Sequence, residues 1–169
     1  MANMIRLRAG DPEYLQMSNG LTDVFINVLV LSGSKAARTM DEKRLIVWLA
    51  EKDQSRVGSG TVGFDLPDMP WNKRTFEENR AFLLDVIAAA RNRTGWEVLE
   101  YTPNEEILFP CLDRFAGIVS RMEAGDVLPD RLEQWLAAAS DSDPGTRGFP
   151  LCPKHHVLLT EFGCHICNN

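Results

Sequence analysis

The chain reads as mainly α: a helical bundle-like body of about five helices, followed by a small Cys/His-rich element at its C-terminal end. Three observations predict this. Apolar residues recur at helical spacing in successive stretches between residues 21 and 140. Two of those stretches open on a Thr-x-x-Glu capping signature. All three histidines and three of the four cysteines fall between Cys152 and Cys167. With 44% hydrophobic and 25% charged residues over 169 positions, the body has the composition of a globular domain with a core of its own.

Residues 1–20 read as irregular, with Gly10-Asp11-Pro12 a turn signal and Ser18-Asn19-Gly20 a break. In Leu21–Lys35, Val24, Phe25, Val28, Leu29 and Leu31 satisfy helical spacing, while Ile26 and Val30 fill the other side and admit a buried strand. A buried helix is the better reading, since no hairpin partner follows and Gly33-Ser34 sit where a helix would loosen. Thr39-Met40-Asp41-Glu42 is a capping box that opens a helix from Met40 to Asp53 over Leu45, Val47, Trp48 and Leu49.

Ser55–Gly63 carries three glycines and reads as a loop. Its GxGxxG match is followed by Asp65, Pro67 and Pro70 in place of a helix, so it does not make a phosphate site. Thr75-Phe76-Glu77-Glu78 is the second capping box. It opens a helix with a Phe76, Leu83, Leu84, Ile87 stripe that ends near Arg93 before Gly95. Trp96–Tyr101 is an extended link or lone strand. Ile107–Met122 is a core helix whose main part holds Pro110 near its first turn, and Pro129–Ser140 places Leu132, Trp135, Leu136 and Ala139 on one face. The polar, turn-rich stretch 141–149 reads as a linker, which divides the chain into a helical domain (1–140), a linker and a C-terminal element (150–169).

A net charge of −6 argues against non-specific binding to nucleic acid or an anionic membrane, both of which need a basic surface. The most apolar run, Val24–Leu31, is too short to span a bilayer. No apolar segment follows Arg6 and Arg8 as a secretory signal would require, and the cysteine usage suits a reducing cytoplasm.

The chemistry is concentrated in Cys152-Pro153-Lys154-His155 and Cys164-His165-Ile166-Cys167. Each pair is separated by two residues, so the chain turns tightly enough for both members to reach one ion; four such donors suit tetrahedral Zn²⁺. The ligand set is Cys152, His155, Cys164 and Cys167, with His156 as a substitute for His155 or His165 as a contributor the alternatives. Residues 152–167 resemble the short zinc ribbons and zinc knuckles of many unrelated proteins. That resemblance implies a structural Zn²⁺ and leaves the function open. The pattern departs from a treble-clef finger, where the second ligand pair sits on a helix. A redox reading of Cys164-x-x-Cys167 would need a helix after the pair to lower a thiol pKa, and Cys111 reads as a small buried hydrophobe.

Three thiolates and an imidazole fill a tetrahedron, whereas a catalytic zinc keeps a position open, with His156 and Glu161 as acid or base only if a ligand were missing. Glu77-Glu78 and Glu105-Glu106 complement helix N-termini. The four tryptophans have no interleaved basic residues and read as core. The favoured function is therefore a non-enzymatic interaction module whose partner is another protein. An enzyme with its site in the 55–74 loop, near Asp65, Asp68 and Trp71, is the alternative. Nucleic-acid binding through the knuckle comes third, with Arg147 and Lys154 as its phosphate partners.

Overall fold

Three of the other helices pack against helix α1, Asn19–Ala36, in which each side chain from Phe25 to Ser34 is buried. The Ser18 hydroxyl starts it by accepting the Leu21 N–H, and the β-branched run that admits a strand reading is buried on all sides as a helix. The computed structural model describes residues 3–54, 60–61, 63–141 and 143–168. Within them lie five α-helices: α1, α2 (Met40–Ala50), α3 (Phe76–Arg91), α4 (Glu105–Arg121) and α5 (Pro129–Ala138). The mainly α class predicted from the periodicity is the class observed.

Gly33 and Ser34 do not loosen α1, contrary to expectation. A Cβ on Gly33 would meet Ile46 Cδ1 at 2.3 Å, so the glycine is what lets α2 approach this closely. The Ser32 hydroxyl lies 3.0 Å from the Val86 carbonyl of α3. Phe25 meets Phe115 of α4 edge-on at 5.3 Å.

The N-terminal stretch is a correction. Residues read as irregular form strands β1 (Asn3–Arg6) and β2 (Tyr14–Met17), paired antiparallel with Ile5 opposite Leu15. A strand further along the chain, β5 (Phe64–Asp65), adds to β1 in parallel and gives the order β2-β1-β5. Gly63 enters β5 where a Cβ would lie 2.2 Å from the Met4 carbonyl oxygen, so only a glycine fits that crossing. Ile5, Leu15, Met17 and Phe64 then reach the core, and Trp48 stands edge-on to Phe64 at 5.0 Å. A second small pair joins β3 (Asp53–Gln54) to β4 (Gly60–Thr61). The remaining positions of the glycine-rich loop, 55–59 and 62, lie outside the described residues.

The other helices confirm some local expectations and overturn others. Thr39 and Glu42 make the full capping box of α2. Thr75 makes none: its hydroxyl donates to Asp41 and accepts from Asn79, because a 3₁₀ turn over Lys73–Thr75 runs straight into α3. Asp41 also receives Asn72 and Arg44, tying the N-termini of α2 and α3 together. Trp96–Val98 is a 3₁₀ turn and not a strand. Helix α4 starts at Glu105 under an Asn104 cap, so Pro110 sits in its second turn rather than its first. Helix α5 begins on Pro129 as expected but buries no residue fully, and Leu136 stays 43% exposed.

Candidate metal centre

The segment between α5 and the first ligand pair holds a short 3₁₀ turn, Pro144–Arg147, and buries Pro144 and Phe149. Phe149 stacks on Trp135 of α5, with ring planes 7° apart and centroids at 6.4 Å. Beyond it the chain makes two tight turns. Cys152 donates to the Val157 carbonyl and Leu159 to the Pro150 carbonyl, closing the first turn around a Leu151–Leu158 bridge. His156 turns this corner in the left-handed region (φ 55°) with its N–H on the Cys152 carbonyl. The Thr160 and Gly163 backbones bond each other in both directions and return the chain for the second ligand pair. Val157 and Leu158 are buried in the same apolar cluster as α1, and the Leu158 N–H donates to the Ser34 hydroxyl at 3.1 Å.

These turns bring the four expected side chains together. One ligand atom from each of Cys152, His155, Cys164 and Cys167 lies within 4.8 Å of the other three, an arrangement that can hold a metal ion. His155 Nδ1 is 3.9 Å from Cys152 Sγ, 3.5 Å from Cys164 Sγ and 3.3 Å from Cys167 Sγ, and the Cys152 and Cys167 sulfurs are 3.8 Å apart. Two Zn–S bonds of about 2.3 Å at a tetrahedral angle place their sulfurs roughly 3.8 Å apart, so the spacing fits that ion. It is far from the length of a disulfide, about 2.05 Å, and all four cysteines are free thiols. His156 is exposed and outside the cluster. His165 is also outside it: its ring is buried, and among the described residues neither nitrogen has a hydrogen-bond partner.

The electrostatics suit a cation-organised site. Burial works against ionising Cys152, but the backbone N–H groups of His155 and Lys154 face its sulfur and bring the thiol below its ordinary value. Burial pushes the Cys164 thiol up to about 12 although the Cys167 N–H donates to its sulfur at 3.4 Å. Burial and the neighbouring Lys154 charge lower His155, so its imidazole is neutral near pH 7 and Nδ1 offers a lone pair. Without a cation burial keeps the Cys164 sulfur protonated; a divalent ion inverts that preference, because coordination removes the thiol proton.

Several other positions singled out in the sequence have structural partners. Asp65 pairs with Arg6, Asp68 with Arg131, and buried Trp71 donates to the Leu66 carbonyl. Glu105 pairs with Arg93 and Glu77 with Arg80. Sequence reasoning missed Ser34, which holds the tail 124 positions away, and Glu51, which accepts the Trp135 indole N–H at 3.0 Å. Neither stands in a motif, so no local signal marked them. Among the described residues no helix is long and apolar enough to cross a membrane. No family model, curated protein or solved structure matches the chain, which leaves the geometry of the site to carry its interpretation.

Proposed function

We propose that Cys152, His155, Cys164 and Cys167 bind one structural Zn²⁺, and that the protein is a non-enzymatic interaction module engaging another protein in the cytoplasm. The observation that carries this reading is the convergence of three sulfurs and one imidazole nitrogen at tetrahedral spacing. That donor set leaves no position for a substrate or activated water, so the ion shapes the tail and performs no chemistry of its own. The outer face of α5 supports an interaction role. Leu136 and Met40 are both more than 40% exposed and line a pocket of about 150 Å³ together with Trp135 and Phe149.

Metal analysis of protein purified without a histidine tag tests the first half, with one zinc per chain expected and none counting against it. Cross-linking to a defined partner, compared between the parent chain, Cys164→Ser/Cys167→Ser and Leu136→Glu, tests the second. Loss of the partner in the double cysteine variant is expected. Undiminished capture would remove the tail from the interface.

A further inference from the structure

The sulfurs of the candidate centre differ in exposure, and Cys167 is the one that meets solvent. Cys152 and Cys164 are 4% and 6% exposed, whereas Cys167 is exposed. The two buried sulfurs also face backbone N–H groups, those of Lys154 and His155 at Cys152 and that of Cys167 at Cys164. The contacts of Cys167 Sγ are His155 Nδ1 and Cys152 Sγ. A sulfur that a dissolved reagent can reach reacts ahead of sulfurs enclosed by the fold, so exposure ranks Cys167 first. Cys167 also lines a pocket of about 240 Å³ together with Leu99, Glu100, Tyr101, Ile166 and Lys154. The Tyr101 hydroxyl forms one wall and accepts the amide of buried Asn27 at 2.9 Å.

From this asymmetry we infer that Cys167 is a modification site: a metal-bound thiolate that attacks small alkylating agents admitted by the adjoining pocket. The inference rests on the zinc reading above. The reactant class is an sp³ carbon bearing a leaving group that departs as an anion; at the pocket the Lys154 ammonium supplies a counter-charge and the Glu100 carboxylate opposes it. The sulfur lone pair forms an S–C bond as the bond from that carbon to the leaving group breaks. The leaving group takes the bonding pair, and the thiolate's negative charge departs with it. The product is a neutral thioether, a poor zinc ligand, so each event costs the centre one anionic donor and releases the tail from its ion.

The test uses the full zinc-loaded chain, with zinc content measured first, then limiting iodoacetamide or iodoacetate, peptide mapping and a chromophoric zinc indicator. Peptide mapping separates Cys167 from Cys111, which lies on α4. Cys167 is expected to react at least about tenfold faster than Cys152 or Cys164, given its exposure. Zinc should appear in step with its modification. Even labelling of the three sulfurs, or labelling only after a chelator has stripped the ion, overturns the proposal. Lys154→Glu should slow iodoacetate at Cys167 by about threefold and leave neutral iodoacetamide unchanged, a difference set by one charge in a solvated site. An equal change with both reagents removes Lys154 from the pocket's selectivity. A chain that takes up no zinc removes the parent reading and this one together. A one-zinc chain with uniformly protected sulfurs removes only this one.

Discussion

The helical body and the Cys/His tail are stabilised by different means. Across ten consecutive positions, Phe25 to Ser34, α1 buries its side chains against α2, α3 and α4, with ring contacts such as Phe25–Phe115 at the centre. The tail contributes only Val157 and Leu158 as large, almost fully buried aliphatics. It also buries Thr160 and a His165 ring with both nitrogens unpartnered among the described residues. Each unpaired buried polar atom costs about 1–3 kcal/mol, and the tail has little apolar burial to offset the two on His165. A segment this short does not offset its ordering entropy with two aliphatic side chains. On the proposed zinc reading the tail's stability comes from coordination at Cys152, His155, Cys164 and Cys167, and the body's from apolar packing.

Removing the ion is the sharpest way to break that contrast. Apparent binding energies of structural zinc sites are on the order of 10 kcal/mol, well beyond any single contact in the tail. Excess chelator, or Cys164→Ser, should therefore abolish amide protection across 150–168 while helical circular dichroism and protection in α1 persist. Hydrogen exchange followed by mass spectrometry reads both regions at once. Equal loss in α1 would show that the two regions share one stabilising source. The reciprocal experiment is Phe25→Ala, which opens a cavity between α1 and α4 and should cost about 3–5 kcal/mol in chemical denaturation. At temperatures where that variant is still folded, its zinc content should be unchanged.

A third test lies where the regions meet. Burial raises the Glu51 carboxyl to about 7; the Trp135 indole N–H opposes the shift, Glu161 and Asp143 add to it, and Lys52 opposes it. The folded state thus holds this proton more tightly than the unfolded chain, whose value is near 4.5. The group imposes no penalty below pH 4.5, destabilises progressively as pH rises from 4.5 through 7, and has a constant cost above that. From 4.5 to 7 the linkage amounts to roughly 2–3 kcal/mol once partial solvent screening is allowed for. Glu51→Gln, which keeps an acceptor for Trp135, should be more stable than the parent at pH 8, with the difference vanishing near pH 4.5. Comparing the two chains at each pH cancels the contribution of the metal ligands they share. A pH-independent difference would mean that Glu51 is ionised and solvated in the fold.

These outcomes bear on what the sequence alone could reveal. Helices α1 to α4 and the ligand quartet were legible because their signals are local: apolar spacing in Phe25–Leu31, the Thr39–Glu42 box, and two-residue gaps in both ligand pairs. The sheet was not, although Tyr14–Met17 does alternate exposed and buried. Two four-residue strands carry little periodicity, and β1 finds its parallel partner at Phe64, 59 positions away from Ile5. Thr75 shows that a correct capping pattern fails when neighbours compete, since its hydroxyl donates to Asp41 and accepts from Asn79. Helix α5 shows that a good apolar stripe specifies a face without specifying what covers it.

The smallest expected effect decides whether the tail docks on the body through a specific bond. Ser34 faces the tail from the last turns of α1, and its hydroxyl is the acceptor for the buried Leu158 N–H. Ser34→Ala keeps the helix, since alanine is the better helix former, and removes only that acceptor. The N–H is then left inside the protein without a partner, at a cost of about 1–2 kcal/mol, because desolvation is no longer compensated. Zinc content should stay at one per chain, because no ligand is altered. The Leu158 amide should exchange faster by roughly tenfold, the equivalent of about 1.4 kcal/mol, while amides around Val86 in α3 keep their rates. If Leu158 kept its protection in the zinc-loaded variant, the ion alone would hold the tail in place, and the Ser34 contact would be incidental to docking.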